Sequence, residues 1–317
     1  MLKAVADRDM HRFLRYFEFV YDKPSSDVFS YTVCSIRSHV EKFQESKDQI
    51  INQTANNLLK ALPIMEQPVF SELPNQETVQ YAHTQTIKEL GDLINIPFED
   101  SKINAIQIQE AFKSALTYID ANEWKTLIDE ESSQSSISTN QELQTIKIPE
   151  SRSVTKNKLA NLIVHEIGTH VARRINGERS SLKLLGLGLD RYEVGEEGIA
   201  TMREQALNNK VDDFRGIEGQ LAVGLGLGVD GQPRDFREVY EIMEKYYLFK
   251  NLVAKKEFSD AQTKAQNSAW NRTVRTFRGT DCNTPGVCLT KDIIYSDGNI
   301  GIWNVIKKIQ MRCSVLT

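Results

Sequence analysis

Hydrophobic residues recur with a helical period along much of the chain and predict a mainly helical protein. Near the start, Phe13, Phe17 and Val20 fall on one side of an amphipathic helix over residues 7–21. A long helix is predicted over residues 31–62, where large apolar residues recur at roughly helical spacing. Further helices are predicted over residues 103–119, 155–175, 198–208, 214–225, 234–248 and 259–277.

Two short segments, residues 124–129 and 144–148, have the character of β-strands instead. In the second segment Ile146 and Ile148 alternate with a polar residue, and Pro149 ends the run. A terminal proline is typical of an edge strand, so this segment is predicted to lie at a sheet edge. An edge strand beside a functional helix can hold an extended peptide by strand addition.

Together these helices and strands predict a mainly helical α+β fold with a small sheet. Residues 131–141 are rich in serine and glutamine and predict a mobile loop between the two strands. Residues 287–295 predict a strand or an extended run. The expected organisation is a helical N-terminal region, residues 1–100, packed on a catalytic domain, residues 101–317, although such a region can also bind a partner.

The predicted helix over residues 155–175 carries His165-Glu166-Ile167-Gly168-Thr169-His170 between apolar stretches. Ser153 or Thr155 can serve as its N-cap, and Asn176-Gly177 is expected to end it. The chain has only five histidines, so two within six residues point to a shared role. Burying histidine and glutamate in this setting is costly unless they are paired or bind a metal ion.

The spacing of the two histidines bears on the metal hypothesis. Metalloprotease helices commonly place ligands at i and i+4, whereas His170 follows His165 by five residues. Five residues of an ideal helix turn through about 500°, which leaves the side chains about 140° apart. A π-bulge would absorb the extra residue, and Gly168 lies where the backbone deforms most cheaply. The alternative is an ordinary helix with an exposed glutamate and two unrelated histidines.

A second acidic cluster, Glu196-Glu197-Gly198, opens another predicted helix downstream of His170. Zinc hydrolases need two neutral imidazoles, a carboxylate ligand and a free carboxylate that activates water. The motif and this cluster together supply all of these groups, so Zn²⁺ is the predicted cofactor.

Further blocks accompany the motif in a fixed order. They are His170-x-x-Arg173-x-x-Asn176-Gly177, Glu196-Glu197-Gly198-Ile199-Ala200, Asp235-Phe236-Arg237-Glu238-Val239-Tyr240, Arg275-x-Phe277-Arg278-Gly279-Thr280 and Thr290-Lys291-Asp292-x-x-Tyr295. With these blocks the chain resembles the MATCAP-like tyrosine carboxypeptidases over roughly residues 104–299. The resemblance implies a zincin/gluzincin-like catalytic domain with a small mixed sheet beside the motif helix. It also implies that the substrate is the C-terminus of a peptide or protein.

The resemblance assigns roles to the residues of the motif. It implies that His165, His170 and one carboxylate of the glutamate pair bind zinc, and that Glu166 is the general base. By analogy with related gluzincins, whose ligand directly precedes a glycine, we choose Glu197 as the third ligand. Glu196 then orients a ligand histidine.

A carboxypeptidase must also bind the terminal carboxylate of its substrate, and arginine is the natural partner, lysine a less directional one. Arg278 and Lys291 lie in the family-like blocks and are predicted to bind substrate. Tyr295 is predicted to bind substrate too, and it is a candidate donor to the oxyanion with Tyr192 and Arg278. Arg275 is more readily explained as a structural cation.

Composition and charge argue against two classes of partner, nucleic acids and membranes. The chain has 317 residues and a net charge of −4, which gives no indication of nucleic-acid binding. No apolar run approaches 18 residues, so no membrane span is expected, and the start lacks the apolar core of a signal peptide. We therefore expect a cytoplasmic protein, in which Cys282 and Cys288 are reduced rather than joined in a small disulfide loop.

Three functions remain open at this point. The first is a zinc carboxypeptidase that removes a C-terminal tyrosine, glutamate or similar residue. The second is an endopeptidase or aminopeptidase on the same scaffold, which would not need the free terminal carboxylate. The third is a non-catalytic protein-binding module that keeps zinc for structure, although a structural site needs no base such as Glu166.

Overall fold

The computed structural model describes residues 2–68, 72–98, 102–130 and 136–315. It is mainly helical with one small mixed sheet, so the α+β prediction is confirmed at this level. The α-helices are α1 (Leu2–Ala6), α2 (Met10–Tyr21), α3 (Ser26–Glu41), α4 (Gln49–Ala61), α5 (Gln76–Leu90), α6 (Ala105–Tyr118), α7 (Lys156–Leu162), α8 (Ala172–Arg179), α9 (Leu184–Leu187), α10 (Tyr192–Leu207), α11 (Ile217–Leu227), α12 (Phe236–Val253), α13 (Phe258–Phe277) and α14 (Ile293–Val315).

Three further helical segments complete the chain. Ile163–Val171 is a π-helix that joins α7 to α8. Short 3-10 helices form at Asp92–Ile94 and Thr290–Asp292. The prediction of a strand or extended run over residues 287–295 is therefore wrong for residues 290–295, which form a 3-10 turn and the first turn of α14. Leu289, just before them, has an extended backbone.

The single long helix predicted over residues 31–62 is also wrong, because the structure has α3 and α4 in its place. The carboxylate of Asp48 accepts hydrogen bonds from the backbone N–H groups of Ile50 and Ile51, which starts a new helix there. Apolar residues keep a helical spacing across the break, and this spacing concealed the turn.

The sheet has three strands in the order β1-β3-β2, where β1 is Lys125–Asp129, β2 is Ser138–Asn140 and β3 is Thr145–Pro149. β1 pairs with β3 in parallel, and β2 pairs with β3 in antiparallel orientation. The prediction that β3 is an edge strand is wrong. Its Pro149 occupies the last paired position, where a missing N–H interrupts no further pairing.

β1 and β2 are both edge strands, and β2 lies inside the segment predicted to be a mobile loop. That prediction is wrong for residues 138–140, and residues 131–135 lie outside the described part of the chain. Three polar residues carry no strand pattern of their own, so β2 is defined by its pairing with β3.

The chain divides into two compact units. Unit 1 comprises Met1–Glu72 and Arg215–Asp297, and unit 2 comprises Leu73–Phe214 and Gly298–Thr317. This division differs from the predicted boundary at residue 100. The core of unit 1 is built from the inward faces of α3, α4, α11, α12 and α13, so the N-terminal helices share one core with residues far along the chain.

The core of unit 2 surrounds the motif. Ile108 and Phe112 of α6, Ile146 and Ile148 of β3 and Ile163 of the π-helix are all at most 1% exposed. Burial of each such side chain contributes about 1.5–3 kcal/mol, so the motif backbone is anchored on a tightly packed layer.

In unit 2, α10 packs closely against the part of α14 that contains Gly298. Each helix has a glycine at the crossing, Gly198 in α10 and Gly298 in α14. A Cβ at Gly198 would lie 2.4 Å from the carbonyl oxygen of Gly298, and a Cβ at Gly298 would clash with the carbonyl oxygen of Val194. Only glycine allows this approach. Because Gly198 directly follows Glu197, the crossing fixes the position of that carboxylate on α10.

Two remaining predictions can be compared with the structure. Cys282 and Cys288 are free thiols, as is Cys34, so the prediction of a reduced pair is confirmed. Among the described residues, no helix is both long and apolar enough to cross a membrane.

Candidate metal centre

The motif lies at the centre of one continuous helical run, α7, the π-helix and α8, which we call the motif helix (Lys156–Arg179). Thr155 is its N-cap and accepts a hydrogen bond from the backbone N–H of Lys158. The predicted widening around the motif is confirmed, and it extends over nine residues. The helix continues past Asn176-Gly177, so the predicted stop is wrong. A Cβ at Gly177 would clash with the backbone of Gly186, and close packing therefore explains this glycine.

Side chains stabilise the widened segment at the carbonyl groups that it exposes. The hydroxyl of Thr169 donates to the carbonyl of Val164 over 3.0 Å. Arg203 of α10 donates to the carbonyl of Gly168 over 2.7 Å and to Glu89 over 2.5 Å. The widened turn therefore has dedicated hydrogen-bond partners, as expected where such geometry serves a function.

The π-helical geometry brings the two histidines onto one side. Their ring centroids are 5.0 Å apart. His165 Nε2 lies 3.5 Å from Glu197 Oε2, and His170 Nε2 lies 3.8 Å from Glu197 Oε1. One ligand atom from each residue lies within 4.8 Å of the other two, so the three could hold one metal ion.

The donor atoms of this triad fit a zinc ion. Two imidazole nitrogens and one carboxylate form the His₂Glu set that catalytic zinc sites use. Glu197 Oε2 is buried, and among the described residues it has no hydrogen-bond partner. A buried carboxylate oxygen without a donor is costly, and a cation between the three groups would relieve that cost.

The other ring nitrogens face carboxylates on the far side. His165 Nδ1 lies 2.7 Å from Glu204 Oε1, and His170 Nδ1 lies 3.1 Å from Glu196 Oε1. An Nδ1–H that donates to a carboxylate leaves the Nε2 lone pair for a metal ion, which is the usual second layer of zinc sites. Both imidazoles are thus aimed at Glu197.

Glu196 is itself held by Arg173, whose Nε donates to the same Oε1 over 2.6 Å. The guanidinium of Arg173 stacks on the ring of Tyr192 at 4.7 Å from its centroid. Glu196 is 8% exposed and lies behind His170, whereas Glu197 faces both Nε2 atoms. The two neighbouring carboxylates therefore occupy different positions, one at His170 Nδ1 and one between the two Nε2 atoms.

Sequence reasoning missed Glu204. It follows Glu197 by seven residues, which is two helical turns, so both side chains project from the same face of α10. This spacing was the available signal, but it becomes informative only once the position of His165 is known.

The carboxylates around the histidines favour positive charge. Burial opposes protonation of His165, but contacts with Glu197 and Glu204 and the charge of Glu166 outweigh it and raise its pKa to about 10. For His170, burial is likewise outweighed by Glu196 and Glu197, and its pKa is raised. Burial would raise the pKa of Glu196, but His170 and Arg173 lower it overall. The carboxylates that favour protonation of the imidazoles would equally favour a bound cation.

Glu166 does not belong to the triad. Its Oε2 accepts a hydrogen bond from the hydroxyl of Thr139 in β2 over 2.6 Å. The site therefore combines three metal-ligand candidates with a separate carboxylate beside them.

The three predicted substrate residues all lie in unit 1. Arg278 and Lys291 line one pocket of about 420 Å³ together with the aromatic rings of Phe13, Phe17 and Tyr21. The ammonium group of Lys291 lies 5.5 Å from the ring centroid of Tyr21. The structure thus brings Arg278 and Lys291 together in an amphipathic pocket.

Tyr295 is not among the residues that line this pocket. Its hydroxyl accepts a hydrogen bond from Nη2 of Arg275 over 3.1 Å. Nε of Arg275 donates to Asp292, which also accepts from Arg272 and is 2% exposed. Arg275 therefore has the structural pairing expected for it, and Tyr295 is tied to the same network.

Two imidazoles and a carboxylate that could share one cation, next to a further carboxylate, define a candidate metal centre of the kind that hydrolases use. The chain belongs to the microtubule-associated tyrosine carboxypeptidase family, whose model matches residues 72–316. This is the family that the sequence motifs indicated. Membership implies tyrosine carboxypeptidase activity in general, that is, hydrolysis at a protein C-terminus. A comparison with curated proteins finds no match.

Proposed function

We propose that this protein is a zinc-dependent carboxypeptidase with a zincin/gluzincin-like catalytic domain. It removes a C-terminal tyrosine, glutamate or similar residue from a peptide or protein. One observation carries the proposal: both histidines direct Nε2 toward Glu197 while their Nδ1 atoms face carboxylates. Nothing in a purely structural helix calls for this arrangement of buried charge.

His165, His170 and Glu197 would hold the ion. Bound zinc supplies a Lewis acid and lowers the pKa of a water molecule to about 7. Glu204 and Glu196 would accept hydrogen bonds from the Nδ1–H groups and so orient both Nε2 atoms toward the ion. The positions of these residues on the motif helix and α10 support the proposed roles.

Glu166 is the proposed general base. As a carboxylate outside the ligand triad, it accepts the proton of the attacking water and delivers it to the departing amine. Arg278 and Lys291 supply positive charge for the terminal carboxylate of the substrate, and the aromatic wall of their pocket accommodates an apolar side chain. Tyr295 offers a hydroxyl donor to the substrate.

The first test is elemental analysis of the wild-type protein and of a His165→Ala/His170→Ala variant. We expect about one zinc per wild-type chain and none in the variant. A wild-type protein that stays free of zinc after reconstitution would contradict the proposal and favour a binding module that has lost its metal.

The second test separates the kinds of peptidase. Matched peptides ending in tyrosine, glutamate, leucine or lysine are compared, each with a free and an amidated C-terminus. A carboxypeptidase cleaves only the free acids, whereas an endopeptidase or aminopeptidase cleaves both forms. Glu166→Gln should abolish turnover while zinc stays bound. Turnover that survives this change would exclude Glu166 as the base.

A further inference from the structure

The contact between Thr139 and Glu166 links the edge strand of the sheet to the motif. Thr139 Oγ1 donates to Glu166 Oε2 over 2.6 Å, the length of a short charge-assisted hydrogen bond. Such bonds are stronger than those between neutral groups, so this contact restricts the carboxylate to one orientation.

The strand holds Thr139 firmly in place. Thr139 pairs with Ile146 of the central strand, and Ile146 is fully buried. Beyond the strand, Asn140 Oδ1 accepts the backbone N–H of Leu143 over 2.8 Å and closes the turn into β3. A β-branched side chain also has few χ1 rotamers. The hydroxyl is therefore presented to Glu166 by a residue that is paired within the sheet.

One hydrogen bond at one carboxylate oxygen has a chemical consequence. The hydroxyl of Thr139 uses one lone pair of Glu166 Oε2 and fixes the plane of the carboxylate, so Oε1 is the oxygen that does not share this donor. A base whose reactive oxygen is held in one orientation spends less of its time in unproductive geometry.

We propose that Thr139 is a positioning residue that fixes Glu166 for proton transfer. This inference rests on the proposed function, since it gives Glu166 the role of base. The hydroxyl of Thr139 bonds to Glu166 rather than to a residue of the ligand triad, so it would act through Glu166.

The sheet supplies a matched control. Thr126 of β1 pairs with the same residue, Ile146, from the other side, so Thr126, Ile146 and Thr139 form one row across the sheet. The hydroxyl of Thr126 is buried and has no hydrogen-bond partner within the described ranges. Thr126→Val therefore makes the same chemical change in the same row without removing a hydrogen bond.

The experiment compares Thr139→Val, Thr139→Ser and Thr126→Val in the zinc-loaded, full-length protein. Valine keeps the volume and the branch but removes the donor, whereas serine keeps the donor. We expect Thr139→Val to lower kcat about tenfold to a hundredfold with little change in KM and no loss of zinc. Thr139→Ser should restore most of kcat, and Thr126→Val should match the wild type.

A readout other than activity tests the contact itself. The unfolding temperature is measured for Thr139→Val, Glu166→Leu and the double variant, with the zinc content of each sample determined. We expect Thr139→Val to lower the unfolding temperature of the wild type but to have little further effect in Glu166→Leu, because the acceptor is already gone. If Glu166→Leu does not fold, Glu166→Ala takes its place.

The outcomes are distinguishable. Wild-type protein without zinc or peptidase activity contradicts the proposed function, and the thermal cycle still reports on the contact. An active wild type with unchanged kcat in Thr139→Val overturns the inference. Three further results would also overturn it. A rise in KM alone would indicate contact with the substrate. A failure of serine to restore kcat, or additive changes in unfolding temperature, would indicate a packing role.

Discussion

His165 Nδ1 lies 2.7 Å from Oε1 of Glu204, two helical turns beyond Glu197 on the same face of α10. α10 thus contributes both a carboxylate that faces His165 Nε2 and a carboxylate that holds His165 Nδ1. The imidazole is clamped from both sides by one rigid helix. Its orientation therefore does not depend on a loop.

If the proposed function holds, removing the clamp weakens zinc binding. We expect Glu204→Leu to lower zinc affinity by about tenfold to a hundredfold, because the tautomer and orientation of His165 are no longer fixed. Glu204→Gln keeps a hydrogen-bond acceptor but removes the charge, so its zinc affinity should lie between those of the wild type and Glu204→Leu. Competition with a chromogenic chelator measures the affinities, and Glu110→Gln on the exposed face of α6 is the control. Equal affinities in all four proteins would exclude this role for Glu204.

The buried carboxylate of Asp292 should matter more for stability than the exposed cation of Arg278. Asp292 is 2% exposed and accepts hydrogen bonds from both Arg272 and Arg275. Asp292→Ala leaves Arg275 without its carboxylate and Arg272 with the more distant carboxylate of Glu218, 3.7 Å away. We expect a loss of about 3 kcal/mol in the free energy of unfolding. Arg278→Met, at a side chain with no ion pair in the described part of the chain, should change it by less than about 0.5 kcal/mol. Denaturant unfolding of both variants measures the difference, and similar losses would contradict this assignment.

Asp297 should make unit 1 less stable as the pH rises. Burial raises the pKa of its carboxyl to about 6, and the charge of Asp22 acts in the same direction. A carboxyl with a raised folded-state pKa favours folding when protonated, so stability falls between about pH 4, near its unfolded pKa of about 3.9, and pH 6. The difference corresponds to at most about 3 kcal/mol.

Asp297→Asn removes this charge and tests the sign. We expect the variant to unfold at a higher temperature than the wild type at pH 7 and at a similar temperature near pH 4. Thermal unfolding followed by circular dichroism between pH 4 and 7 gives both curves. A variant that is less stable than the wild type at pH 7 would show that the charged carboxylate is favourable in the fold.

The cysteines should differ in reactivity. Cys288 is fully buried, and burial raises the pKa of its thiol, whereas Cys282 is partly exposed. Because the thiolate is the reactive species, we expect a maleimide to label Cys282 in the native protein and Cys288 only on unfolding. Peptide mass mapping after timed labelling, with and without denaturant, measures this. If Cys288 in the native protein were labelled as fast as Cys282, its thiol would not be buried.

The residues that were predicted correctly share a local signal. Thr155 caps the motif helix, and the spacing of His165 and His170 demanded the widened turn that is present. The features that were not predicted depend on contacts between segments that are distant in the sequence. Glu204 gains its meaning only from the position of His165, and β2 exists only through its pairing with β3. Three polar residues such as Ser138–Asn140 have no pattern that could reveal a strand.

The glycine crossing of α10 implies an order of events during protein synthesis. The chain emerges N-terminus first, at about 5–20 residues per second, so the roughly 100 residues between Glu197 and Gly298 take about 5–20 s to be made. Until Gly298 packs against Gly198, α10 lacks the neighbour that fixes Glu197. The two histidines are therefore made before the position of their carboxylate partner is fixed. On the proposed function, we expect the nascent chain to bind zinc only after residue 298 has been added.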